Sequence, residues 1–236
     1  MVRSAAVPRT HFALALALLS LSLLPRLAHA QAAPPKKDSG PETWYTEILI
    51  SAGTAPTIEH LWSKGTWMRA ELVVGGQPIL QIVKGNRYII VNRMQREGIA
   101  IQRSPLALQH DAQGKRPFAD DRDRIIAAGG ERVGQQTIGG QDCDVYRVTD
   151  SDGRRETCVT PLGLPVRTEM WQRASGKSTS ASYLSWASHV PLPDDFFDPD
   201  PDYKITEYGY DQYLAETAKG PVGPAPPLHS YLLHGK

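Results

Sequence analysis

Long apolar runs are missing from this chain. The run at residues 13–24 spans about 12 residues and is interrupted by Ser20 and Ser22, whereas a membrane-crossing helix needs ~20. Lysine- or arginine-rich tracts are absent too, which excludes the basic stripe of a nucleic-acid binder. Beyond residue 30 the histidines are His60, His110, His189, His229 and His234, and no two of them are spaced for zinc. There is no G-x-S-x-G nucleophile turn and no glycine-rich phosphate loop opening a helix. Asp198, Asp200 and Asp202 alternate with prolines but lack the glycine turn and terminal carboxylate of a calcium loop. They read as a rigid acidic surface segment. These absences lead to the expectation of a protein with no catalysis, no metal and no cofactor.

What the N-terminus does contain is a leader. Arg3 and Arg9 precede the apolar run, no acidic residue occurs before Asp38, and Pro25 is followed by the small-x-small triplet Ala28-His29-Ala30. That arrangement predicts a signal peptide over residues 1–30, cleaved after Ala30, and a periplasmic product without a transmembrane anchor. No cysteine stands at the cleavage point to carry a lipid, and no twin-arginine pair precedes it. Without Arg3, Arg9 and Arg26 the chain carries 23 basic against 25 acidic residues, close to neutral. Residues 31–43 read as a flexible, proline-bearing linker. Residues 208–236, with the Gly- and Pro-rich stretch 220–227, read as a partly disordered extension outside the core.

Between these ends the chain reads as short strands separated by turn residues. The strands fall at 44–51, 57–63, 66–74, 78–83, 87–92 and 98–103, then at 131–138, 142–149, 155–160, 164–172 and 178–188, a spacing of about 8–12 residues that predicts an antiparallel meander. One helix-like segment interrupts it, opening near Pro117, carrying Ile125 and Ile126, and stopped by Gly129-Gly130. In 66–74, Met68, Ala70 and Leu72 oppose Arg69 and Glu71, and a sheet with one apolar face must bury that face. The two cysteines, Cys143 and Cys158, flank the turn Asp150-Ser151-Asp152-Gly153. A turn centred on Asp150 and Ser151 would place them directly opposite each other, which predicts a disulfide in an oxidising compartment.

Several stretches together resemble one family. Trp62-Ser63-Lys64-Gly65-Thr66-Trp67-Met68-Arg69, then Lys84-Gly85-Asn86-Arg87-Tyr88, Ile138-Gly139-Gly140-Gln141-Asp142-Cys143 and Thr160-Pro161-Leu162-Gly163-Leu164-Pro165-Val166-Arg167 occur in an order similar to that of the periplasmic lipoprotein carriers of the LolA/LolB type. The resemblance covers roughly residues 44–197. It implies an incomplete β-barrel with helices over its open side and acyl chains held in the hollow.

The expected fold is therefore mainly β: a curved antiparallel half-barrel of about ten or eleven strands, LolA-like, over residues 44–207 and wrapped around one or two helices. The expected function is non-catalytic binding or carriage of a lipid or an acylated protein. The alternative is an envelope scaffold that docks a protein partner with no bound lipid. Candidate lining residues are Ile58, Trp62, Met68, Leu72, Ile82, Ile90, Met170 and Trp186; each could equally fill a closed core. Arg69, beside two tryptophans, is the candidate charged contact, or else an outward partner of Glu71.

Overall fold

The computed structural model describes residues 42–52, 55–113 and 121–235. The predicted leader (1–30), all but the last two residues of the predicted linker, and Pro117 lie outside the described residues. Six strands come first: β1 (Thr43–Ser51), β2 (Thr57–Lys64), β3 (Trp67–Val74), β4 (Gln77–Lys84), β5 (Arg87–Asn92) and β6 (Glu97–Gln102). Two helices follow, α1 (Pro105–Ala112) and α2 (Asp121–Ala127). The second set of strands is β7 (Glu131–Ile138), β8 (Gln141–Thr149), β9 (Gly153–Val159), β10 (Pro165–Gln172) and β11 (Ser178–Ser188). A short 3-10 turn (Asp194–Phe197), β12 (Lys204–Tyr208), α3 (Tyr210–Thr217) and α4 (Ser230–His234) complete the described chain.

The strands form one open sheet in the order β12-β6-β5-β4-β3-β2-β1-β11-β10-β9-β8-β7. All neighbours are antiparallel except β12, which runs parallel to β6. The hairpins form where the sequence can supply positive φ. Gly75 and Gly76 sit at φ 56° and 80° between β3 and β4, the conformation that a two-residue turn matching strand twist demands. This is the mainly β, open half-barrel that the sequence predicts, with twelve strands instead of ten or eleven.

The two faces of the sheet are covered differently. On the inner face, Met68, Ala70, Leu72, Ile79, Val83, Tyr88, Ile90, Ile99 and Ile101 make one apolar cluster with Tyr213, Ala225, Leu232 and Leu233. Helix α2 lies on the same face further along, where Ile125 packs on Tyr146, Val148 and Val159. On the outer face, Leu80, Ile82, Ile89, Val91 and Ala100 pack against Phe197, with Leu192, Phe196 and Tyr203 around it. Strands β4 and β5 are thus buried on both sides, so neither shows the clean alternation of a one-sided sheet.

The C-terminal segment expected outside the core is part of it. Tyr213, Ala225, Leu232 and Leu233 are buried, and α4 meets α1 closely at Gly235, where an added Cβ would lie 2.7 Å from the Ala107 nitrogen. Asp198, Asp200 and Asp202, read as a rigid acidic surface segment, are exposed and belong to a longer stretch, residues 192–203, that forms a strap across the outer face. Lys64 holds Asp194 (2.5 Å), Lys84 holds Asp198 (2.7 Å) and Arg96 holds Asp202 (2.9 Å).

Cys143 and Cys158 are linked, with Cα atoms 5.4 Å apart. The register differs from the expected one, because Val145, not Cys143, pairs with Cys158. The turn is centred one residue later than predicted: Asp150 Oδ1 accepts from the amides of Asp152 and Gly153, so Thr149 pairs with Arg154. Reducing this bond, which closes a loop of about 15 residues, is expected to lower stability by about 3 kcal/mol in the chain-entropy model. Urea unfolding with and without reductant measures the effect; coincident midpoints would contradict it.

Candidate functional site

The lining residues read from the sequence divide between the two faces. Residues directly paired across strands share a face. Met68, Leu72 and Ile90 lie in the inner cluster, with Trp186 packed against it. Met170 pairs with Thr179, which puts it on the inner face too, but at the uncovered end of the sheet, where it is 37% exposed. Trp62 pairs with Arg69, and Arg69 with Ile82; all three face outward. Ile58 alternates with Trp62 and is 46% exposed. The inward positions of β2 are therefore Glu59, Leu61 and Ser63. Arg69 is a strap fastener: it donates to Phe196 O (2.8 Å) and Glu71 (2.6 Å), with its guanidinium 4.6 Å from the Phe196 ring centre.

The inner face also holds polar groups that the sequence reading did not single out. Gln81 and Tyr88 are fully buried in the middle of it (0%). Gln81 Nε2 donates to Pro226 O (2.9 Å), and its Oε1 accepts from the Leu228 amide (3.1 Å) and from the Tyr88 hydroxyl. Tyr88 Oη accepts in turn from the His229 amide (3.2 Å). Glu59, buried on β2, has Oε1 2.7 Å from His229 Nε2. At the far end Arg103 Nε donates to Leu232 O (2.7 Å), while its other nitrogens reach Gly85 O and both Asp111 oxygens. The Ser104 amide donates to Leu233 O (2.9 Å), and its hydroxyl donates to His234 O (2.8 Å) while capping α1 at the Ala107 amide.

This is a row of buried side chains set in an apolar face and directed at the main chain of residues 226–234. An unpaired buried amide or guanidinium costs several kcal/mol, so the row requires an occupant with matching donors and acceptors. Sequence signals existed for part of it. Ser104-Pro105 is a helix start, and Gln81 falls in register with Ala70 and Ile90.

Burial also sets the tyrosines. It pushes Tyr88, Tyr183, Tyr213 and Tyr231 above the ordinary phenol value of 10.0. On the outer face, partial burial and then the Glu47 carboxylate push Tyr45 up to about 12. A folded value above the unfolded one means that the contribution to stability is intact below pH 10 and is lost as the pH rises from there through the folded values. The melting temperature is therefore expected to fall above pH 10, while tyrosinate absorbance of the native protein lags behind that of the unfolded chain. Coincident tyrosinate titrations of native and unfolded protein would contradict this.

An open groove of about 350 Å³ lies over β9, β10 and β11, lined by Arg154, Glu156, Arg167, Glu169 and Trp171 among others. Its charges satisfy one another, with Arg167 on Glu169 and Arg154 on Glu156. Among the described residues no group of three histidine, cysteine or acidic side chains could hold a metal. No helix among them is long and apolar enough to cross a membrane.

No family model and no curated protein sequence matches this chain. Among solved structures, an uncharacterized conserved protein from Thermus thermophilus is similar to it with a TM-score of 0.52 at 8% identity, over 70% of this chain and 90% of that one. That likeness shows the fold. A chain of the Pseudomonas aeruginosa MucA/MucB complex aligns with a TM-score of 0.44 at 15% identity, and this chain spans 58% of its length. An outer membrane lipoprotein-sorting protein domain from Vibrio parahaemolyticus aligns with a TM-score of 0.33 at 12% identity, over 67% of this chain and 89% of that one. At those scores neither carries an argument about the role of this chain.

Proposed function

We propose that the protein is a non-catalytic, exported envelope protein that binds an extended amphiphilic ligand on its inner sheet face, with its own C-terminal segment as the resident cover. One observation supports this reading above the others: an apolar surface with a few convergent, buried polar groups, the usual make-up of a ligand site, is covered over β3–β6 by the segment near the C-terminus. The leader read from residues 1–30 supports a periplasmic location. The same cover favours a second reading, an envelope scaffold in which residues 208–235 are permanent core and a partner docks elsewhere.

Binding of a fluorescent fatty-acid analogue separates the two readings. Leu233, on α4, is fully buried in the inner-face cluster, and Leu→Ala at such a site costs about 2–5 kcal/mol. If the cover opens by itself, Leu233→Ala raises the open population roughly 30-fold or more, at 1.4 kcal/mol per tenfold. Apparent affinity rises in proportion. The ligand reading predicts weak binding to wild type and much tighter binding of an amphiphile to the variant. A variant that melts earlier yet binds no amphiphile of any kind leaves the scaffold.

A further inference from the structure

We infer that the inner face is a peptide-binding site that reads main-chain groups, and that its partner is a peptide of the chemistry displayed by residues 226–234, a proline-bearing entry that closes in a short helical turn. The inference rests on the reading above, that this face is a ligand site, and it names the class of ligand.

The chemistry follows from where the buried polar atoms point. Gln81 takes the carbonyl of Pro226 and the amide of Leu228, two residues on. Tyr88 takes the amide of His229, Arg103 the carbonyl of Leu232, and Ser104 the carbonyls of Leu233 and His234. These are side-chain and loop contacts to backbone, and they are spaced along the segment rather than gathered at one end. An acyl chain has neither donors nor acceptors along its length. It would leave the Gln81 amide and Arg103 Nε buried without partners, at a cost that its methylenes would have to offset. A peptide replaces each contact.

Specificity comes from three positions. A proline suits the first, because only its carbonyl is used there and its fixed φ lowers the ordering cost. The buried Glu59 carboxylate selects a side chain with an N–H donor, met here by His229 at 2.7 Å. Two consecutive apolar side chains fill the sites of Leu232 and Leu233. The segment of this chain is then a pseudo-ligand held at the high effective concentration of an intramolecular contact. A partner peptide must displace it.

The test uses the full chain and a labelled synthetic peptide of residues 221–236. Leu233→Ala is expected to bind the peptide in trans at least roughly 30-fold more tightly than wild type, because its own segment competes less well. A peptide N-methylated at Leu228, which cannot donate to Gln81 Oε1, should bind this variant clearly more weakly than the unmodified peptide, because the chain's own segment is unchanged in that comparison. A scrambled peptide should not bind. Wild-type protein gives a second measurement that needs no substitution: with excess peptide, the chain's own amides at Leu228 and His229 should lose protection from hydrogen exchange. A Leu233→Ala protein that takes up the fatty-acid analogue but not the peptide overturns this inference and leaves ligand binding standing. Binding of neither, with no loss of protection in wild type, overturns both.

Discussion

Arg103→Ala is expected to destabilise the protein by about 3–5 kcal/mol, the usual cost of removing one partner of a buried ion pair. Its side chain is 1% exposed and fastens three elements at once: α1 through both Asp111 oxygens, the β4–β5 turn through Gly85 O, and the C-terminal segment through Leu232 O. Alanine leaves the partly buried Asp111 carboxylate and two carbonyls without their shared donor. The double variant Arg103→Ala/Asp111→Ala should recover part of the loss, because it no longer leaves an unpaired carboxylate. Denaturant unfolding of the two single variants and the double variant measures the coupling. Strict additivity would mean that the two residues act independently and would count against the geometry.

Phe197→Ala is expected to cost a similar amount, about 3–5 kcal/mol, by opening a cavity under the strap. Phe197 is fully buried on Leu80, Ile82, Ile89, Val91 and Ala100, with Trp67 edge-on at 5.9 Å. The fasteners around it are exposed ion pairs and contribute little each. A neutral substitution, such as Asp198→Asn on the partner of Lys84, should therefore change stability by less than about 1 kcal/mol. If Phe197→Ala proves as mild as Asp198→Asn, the strap is not part of the outer core.

Much of the sheet was legible because its signals are local. Gly75-Gly76 and Gly139-Gly140 mark hairpins in any context, and the alternation of Met68, Ala70 and Leu72 against Arg69 and Glu71 placed β3 correctly. The resemblance to LolA-type carriers implied a half-barrel with helices over the open side, and the open sheet has that form. Face assignment failed where local signals stop. Ile82 sits in a strand buried on both sides, so alternation says nothing of which way it points. Ile58 and Trp62 are apolar, which suits an inner lining, whereas register with Arg69 turns Trp62, and Ile58 with it, outward and puts the charged Glu59 inside.

The C-terminal segment reads as a tail in sequence for a related reason. Its prolines and glycines signal an unstructured tail, and the partners that order it lie 129 to 147 residues away in sequence, at Arg103 and Gln81. No property of residues 220–235 alone announces them. Met170, one of the candidate lining positions in the sequence, sits at the exposed rim. A charge placed there would leave the melting point unchanged whether or not the face binds a ligand.

The central claim is that residues 226–234 cover a ligand surface: bound to it, yet able to leave without the sheet unfolding. Native-state hydrogen exchange tests this directly. The amides of Leu228 and His229, and that of Ser104, which donates to Leu233 O, should exchange as one group. They should be far slower than in a free peptide of the same sequence and clearly faster than the amides of Ile82 and Ile89 in the doubly buried strands. Exchange of Leu228 and His229 at the free-peptide rate would mean that the segment does not cover the face. Exchange in step with Ile82 and Ile89 would mean that the cover never opens on its own, and the inner face would then be ordinary core.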